Sequence, residues 1–185
     1  IKEDMTFDDI TENGKLWAVR FNGEPENELS KLFAKWNDAD WLRSFFIENI
    51  DDLSSYFKIT DITQAVKDTI EDSDELECVL LDLSPEADLS MFFRPLSNSE
   101  TSDVMLQKEK ARLKRRLRHS SWLRLYAIKL VSGVYIITGG AIKLTATMQE
   151  REHTRNELTK LEKVRRYLLE ENITDDIGFM EYLND

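Results

Sequence analysis

The hydrophobic pattern of the chain is dominated by Trp122–Thr145, WLRLYAIKLVSGVYIITGGAIKLT, the one long segment dense in β-branched and aromatic residues. Ser132-Gly133 interrupts it, and two such runs joined by two turn residues predict a β-hairpin. With Val131 opposite Val134, pairing runs outward through Leu130–Tyr135, Ile128–Ile137, Tyr126–Gly139, Arg124–Ala141 and Trp122–Lys143. One face then carries Leu123, Leu125, Ala127, Val131, Val134, Ile136, Thr138 and Ile142 and is the expected core side. The other face sets Arg124 and Lys143 diagonally across the pair, with Tyr126 beside them and the small Gly139 and Ala141 opposite.

Upstream, residues 1–14 are polar and acidic and read as a loosely held start. Lys15–Phe21 alternates as a strand and stops at Asn22-Gly23. Glu26–Trp36 has helical spacing, and Asp38 or Asp40 caps a second helix with Trp41, Leu42, Phe45, Phe46 and Ile50 on one face. The aromatics Trp36, Trp41, Phe45 and Phe46 are read as core. Thr60 or Asp61 opens a third helix that ends before Pro85, its acidic run Glu71–Glu77 forming a solvated face. Gln107–Arg118, QKEKARLKRRLR, reads as a basic amphipathic helix with Leu106, Leu113 and Leu117 as its stripe. Thr147 with Glu150 fits a capping box and opens a helix to Glu171 with Leu158, Leu161, Val164 and Leu168 on its apolar face. The expected fold is α+β: a small antiparallel sheet with a C-terminal hairpin, packed against several helices and a long C-terminal helix. Residues 1–96 form an acidic strand-plus-helices half, 97–102 a linker-like loop, and 103–185 the basic helix, hairpin and last helices of the same compact domain.

Composition narrows the class. A chain of 185 residues with 41% hydrophobic and 33% charged positions suits a soluble globular domain with a real core. No apolar run approaches the roughly 18 residues of a membrane helix, and no secretory leader is visible. One cysteine, Cys78, and two histidines leave no disulfide and argue against a structural zinc site. No loop has the Asp-x-Asp-x-Asp-Gly spacing of a calcium site, so neither metal nor small-molecule cofactor is expected, and a reducing cytoplasm is the expected compartment. The net charge of −11 is unevenly spread. Residues 1–99 hold 9 Lys and Arg against 23 Asp and Glu, residues 100–170 hold 16 against 8, and residues 171–185 hold none against 5. The basic middle suits a polyanion, or packs against the acidic parts of its own domain.

The chemistry this suggests is phosphate binding. Arg124 and Lys143 are placed to share one anion and to stabilise charge developing on phosphorus during RNA cleavage. Tyr126 and His153 are candidates for proton transfer. Lys114, Arg115, Arg116, Arg118 and Arg151 are candidate nucleic-acid contacts, and His119 is a lesser catalytic candidate.

These motifs resemble the RelE/ParE-like toxin superfamily, in particular its HigB-like branch. Leu123-Arg124-Leu125-Tyr126 is similar to the Arg-bearing strand of that branch, and Gly133-Val134-Tyr135-Ile136-Ile137 to its Tyr- and Ile-rich strand. Ile142-Lys143-Leu144-Thr145 is similar to its Lys-Lys-Thr motif, with Leu144 in place of the second lysine, and Thr147 onward to its final helix. The resemblance implies metal-independent cleavage of messenger RNA on the ribosome, or gyrase poisoning, with Arg124 and Lys143 as the catalytic cations. It also implies a small antitoxin partner, often carrying a helix-turn-helix. Two other readings stand beside it: a non-enzymatic phage or mobile-element protein-interaction module, and a nucleic-acid-binding module using residues 108–124.

Overall fold

The computed structural model describes residues 5–83, 86–96, 106–113 and 119–185. Two strands come first, β1 (Met5–Asp9) and β2 (Leu16–Phe21), and pair antiparallel. Four helices follow: α1 (Glu28–Trp36), α2 (Ala39–Glu48), α3 (Ile50–Phe57) and α4 (Ile62–Leu81). Their starts follow from local chemistry, since Asn27, Asp38 and Asp61 each accept first-turn backbone N–H groups that have no helical partner. Then come β3 (Arg94–Pro95), β4 (Gln107–Ala111), β5 (Leu123–Lys129) and β6 (Tyr135–Ile142). A 3-10 turn at Met148–Glu150, opened by the expected Thr147/Glu150 capping box, leads into α5 (Glu152–Glu170), and α6 (Asp176–Asn184) comes last.

The fold is α+β, built on one mixed sheet of six strands in the order β1-β2-β6-β5-β4-β3. It is larger than the small antiparallel sheet expected, and β2 runs parallel to β6 through Leu16↔Tyr135, Trp17↔Ile136 and Ala18↔Ile137. Strands from both halves of the sequence therefore share one sheet. The linker expected at 97–102 lies outside the described residues.

Helices cover both faces. Leu16, Ala18, Leu123, Leu125, Ala127, Ile137 and Ile142 pack in one core with α1–α4. Trp17, Val19, Tyr126, Ile128, Ile136 and Ala141 pack in the other, beneath Leu161, Val164 and Leu168 of α5 and Phe179 of α6. The hairpin is thus buried on both faces, which is why its strands read as near-continuous apolar runs.

Three expectations are corrected. Residues 5–9 are an edge strand, with Met5 and Phe7 turned into the second core. Gln107–Ala111 is the strand β4 and not helix: Gln107, Glu109 and Ala111 are buried on one side while Lys108 and Lys110 alternate with them. Pairing with β5 outweighs the helical propensity of this segment. The acidic run on α4 is not wholly solvated, because Asp72 is fully buried and its neighbour Asp68 is nearly so.

The hairpin register is half as expected. Arg124↔Ala141 and Tyr126↔Gly139 pair as the sequence predicts, but Ala127↔Ile137 and Ile128↔Ile136 are shifted by one. A bulge between Tyr126 and Ala127 absorbs the difference and leaves Thr138 as the extra residue. The turn is correspondingly one residue longer: Leu130 N–H donates to Val134 O across Val131-Ser132-Gly133, with Ser132 and Gly133 both at positive φ.

Candidate anion-binding site

Where β4, β5 and β6 end on the same side of the sheet, four cations meet. Arg124 stands near the start of β5, and its side chain is nearly buried. Its Nη1 donates to Ser121 O at 2.6 Å and to Leu123 O at 2.9 Å. Lys110 lies on β4 with Tyr126 as its register partner, and its Nζ donates to Leu96 O at 3.2 Å. Arg112 follows β4 and is exposed. Lys143 follows β6, held by its N–H to Trp122 O and by Nζ to Ala146 O at 3.0 Å.

Among the described residues, none of these four cations forms an ion pair. Their fields act on one another instead. Burial, with Arg112 adding like-charge repulsion, brings the Arg124 guanidinium down to about 10. Burial and then Arg124 and Arg112 hold the Lys110 ammonium below its ordinary range. Lys143 is lowered by burial and by Arg124, Lys110 and Arg112, with Glu150 opposing. Four cations brought together with no carboxylate ion-paired to any of them among the described residues suit an anion as partner.

Tyr126 adjoins this bay and is 1% exposed, its hydroxyl buried with no hydrogen-bond partner among the described residues. Burial drives its ionisation upward, with Arg124 opposing and Glu157 adding to the rise. The phenol is thereby kept in its protonated form, with an O–H that could donate to a bound ligand. Across Gly139 sits Glu157 on α5, whose Oε2 is also buried and has no hydrogen-bond partner among the described residues, while Oε1 accepts from Lys160 at 3.1 Å. The approach is close: a Cβ on Gly139 would lie 2.2 Å from Glu157 Oε2, so any larger residue here must displace the end of the Glu157 side chain.

The other expected residues are distributed elsewhere. His153 points to the edge of β6, its Nε2 3.0 Å from Ile142 O and its ring edge-on to Phe45 at 5.2 Å. Arg151 clamps α3, with Nε and Nη2 each 2.7 Å from the Asp52 carboxylate. That carboxylate occupies the fork expected to contact nucleic acid. His119 is structural: it stacks on Trp122 at 4.2 Å and its Nε2 meets Asp68 Oδ2 at 2.9 Å. Lys114, Arg115, Arg116 and Arg118 lie outside the described residues. Sequence reasoning includes Lys110 and Arg112 only within the basic segment 108–124 and, reading that segment as helix, does not place them beside Arg124 and Lys143; it misses Glu157 altogether. The adjacent glycines Gly139-Gly140 inside a strand are the available signal for Glu157.

Among the described residues, no three His, Cys, Asp or Glu side chains converge as metal ligands. No described helix is long and apolar enough to cross a membrane. Comparison with protein-family models, with curated proteins and with solved structures found no match.

Proposed function

We propose that the bay binds phosphodiesters of RNA and that the chain is a RelE/HigB-like toxin, cleaving messenger RNA at the ribosome without a metal. The observation that carries this reading is the set of Lys110, Arg112, Arg124 and Lys143, converging with no carboxylate paired to any of them among the described residues. In this reading Arg124 and Lys143 hold the scissile phosphate and offset the charge that grows on it. Tyr126 donates its phenolic proton to a phosphate or leaving oxygen. His153 is engaged with Ile142 O, so in this reading the proton of the attacking 2′-hydroxyl passes to the Glu157 carboxylate across Gly139. The natural counterpart is a small antitoxin that covers the bay, and the working compartment is the cytoplasm.

Expression in a host without a partner tests the reading. Wild type is expected to arrest growth and to yield cut messenger RNA. Arg124→Ala and Lys143→Ala are expected to lose at least about a hundredfold in cleavage, the scale of removing one charge-stabilising donor. Unimpeded growth with intact message points instead to a nucleic-acid-binding module. That second reading rests on the same bay.

A further inference from the structure

The segment 119–123 leads into β5, and its carbonyls hold two of the four cations of the bay. Ser121 O and Leu123 O accept from Arg124 Nη1, while Trp122 O accepts from the backbone N–H of Lys143 at 2.8 Å. Two consecutive residues of α4 grip this segment from the face of the sheet opposite Tyr126 and Ala141. Asp68 Oδ2 lies 2.9 Å from His119 Nε2, whose ring partner Nδ1 meets Ser120 O at 2.8 Å. Gln64, one turn earlier on α4, donates to Asp68 Oδ1 at 2.8 Å. Thr69 Oγ1 accepts from Trp122 Nε1 at 2.9 Å and donates to Ala65 O at 2.8 Å. The rings of His119 and Trp122 stack at 4.2 Å and 6°, and Phe57 of α3 stands edge-on to both. Asp68, Thr69 and Trp122 are buried.

We propose that Asp68 and Thr69 are positioning residues for the bay: by gripping His119 and Trp122 across the sheet, they fix the carbonyls that aim Arg124 and seat Lys143. The inference rests on the reading of the bay as a phosphate site. A charged group that binds an anion has to be held within roughly 0.5 Å of its place by neighbours that are themselves fixed. Arg124 does not supply that constraint alone, since its side chain has many rotamers and, among the described residues, donates only to main-chain acceptors. Apolar packing would bury residues 119–123 without fixing the direction of their carbonyls. Hydrogen bonds to Asp68 and Thr69 do fix it, because each sets a distance and an angle. The bond from Lys143 N–H ties the end of β6 to Trp122, so one grip serves both cations.

RNA binding by the full chain, read by fluorescence anisotropy with a short labelled oligouridylate, tests the proposal in a double-mutant cycle. His119→Phe keeps a ring on Trp122 and removes both hydrogen bonds. It is expected to weaken binding about fivefold, the scale of one net hydrogen bond, and to flatten the salt slope. His119→Gln, which keeps a donor where Nε2 lies, is expected to recover most of that loss. In the Arg124→Ala/Lys143→Ala background the His119→Phe effect is expected to fall below about twofold, which a general loss of stability would not produce. Circular dichroism confirms folding at the binding temperature, and Thr69→Val, which strips Trp122 of its acceptor, carries the same cycle if His119→Phe does not fold. Wild-type affinity in folded His119→Phe, no recovery in His119→Gln, or a loss undiminished in the Arg124→Ala/Lys143→Ala background overturns the proposal and leaves the bay intact. RNA affinity untouched by Arg124→Ala/Lys143→Ala overturns both.

Discussion

Arg124 is nearly buried, yet among the described residues its side chain donates only to the carbonyls of Ser121 and Leu123. A charge taken out of water without an opposite charge is a cost to folding, and such costs persist where function uses them. Arg124→Met, which keeps much of the volume, is expected to raise stability by about 1 kcal/mol in phosphate-free buffer, measured by urea unfolding. Added phosphate is expected to stabilise wild type and to stabilise the variant less, by linkage to an anion bound in the folded state alone. The pH dependence has a definite sign. Lys110 and Lys143 are held below their ordinary values, so between folded and unfolded pKa values the unfolded chain binds more protons. Stability attributable to them therefore rises with pH through the window just below the ordinary lysine range, and that rise is expected to shrink in Arg124→Met. A thermal-midpoint series from neutral to alkaline pH reads both.

At the scale of elements, the close approach of β6 to its neighbours rests on Gly139 and Gly140. A Cβ on Gly140 would lie 2.5 Å from the backbone oxygen of Arg124, which cannot move alone, whereas one on Gly139 meets the end of the Glu157 side chain. Gly140→Ala is expected to cost about 3 kcal/mol and Gly139→Ala about 1, with Glu157→Ala recovering most of the latter in the double variant. Chemical denaturation of the four proteins gives the order. The hairpin is legible in the sequence because β-branched and aromatic residues crowd it, and the Arg124↔Ala141 pairing agrees with a two-residue turn although the actual turn is one residue longer. The bulge at Thr138 is not legible, since a turn one residue longer and a bulge one residue long cancel beyond Tyr126. QKEKA carries strong helix formers, and only β5 alongside makes it a strand. The short edge strand MTFDD and the buried Asp72 likewise depend on neighbours far away in sequence.

Across the described residues, the sheet brings parts of the basic middle of the chain beside acidic helices and pairs some of its cations. Arg151–Asp52 and Lys160–Glu28 do join basic and acidic segments, as one reading of the charge segregation expects. The bay at the ends of β4, β5 and β6 is what those pairs leave over. His153 and Arg151, close in sequence to Lys143, are drawn away from it by Ile142 O and by Asp52. Proximity along a chain says little about which way side chains turn: Arg151, just before α5, meets Asp52 of α3, and His153 in the first turn of α5 meets Phe45 of α2.

The most direct test is the salt dependence of binding between the purified chain and a single-stranded RNA, for wild type and for Arg124→Ala/Lys143→Ala. If the bay holds phosphates, wild-type affinity falls steeply as salt rises. The double variant then binds more weakly, with its log–log slope flattened by about 0.7 for each phosphate it no longer neutralises. An RNA affinity and slope unchanged by the double substitution would contradict the phosphate-binding bay.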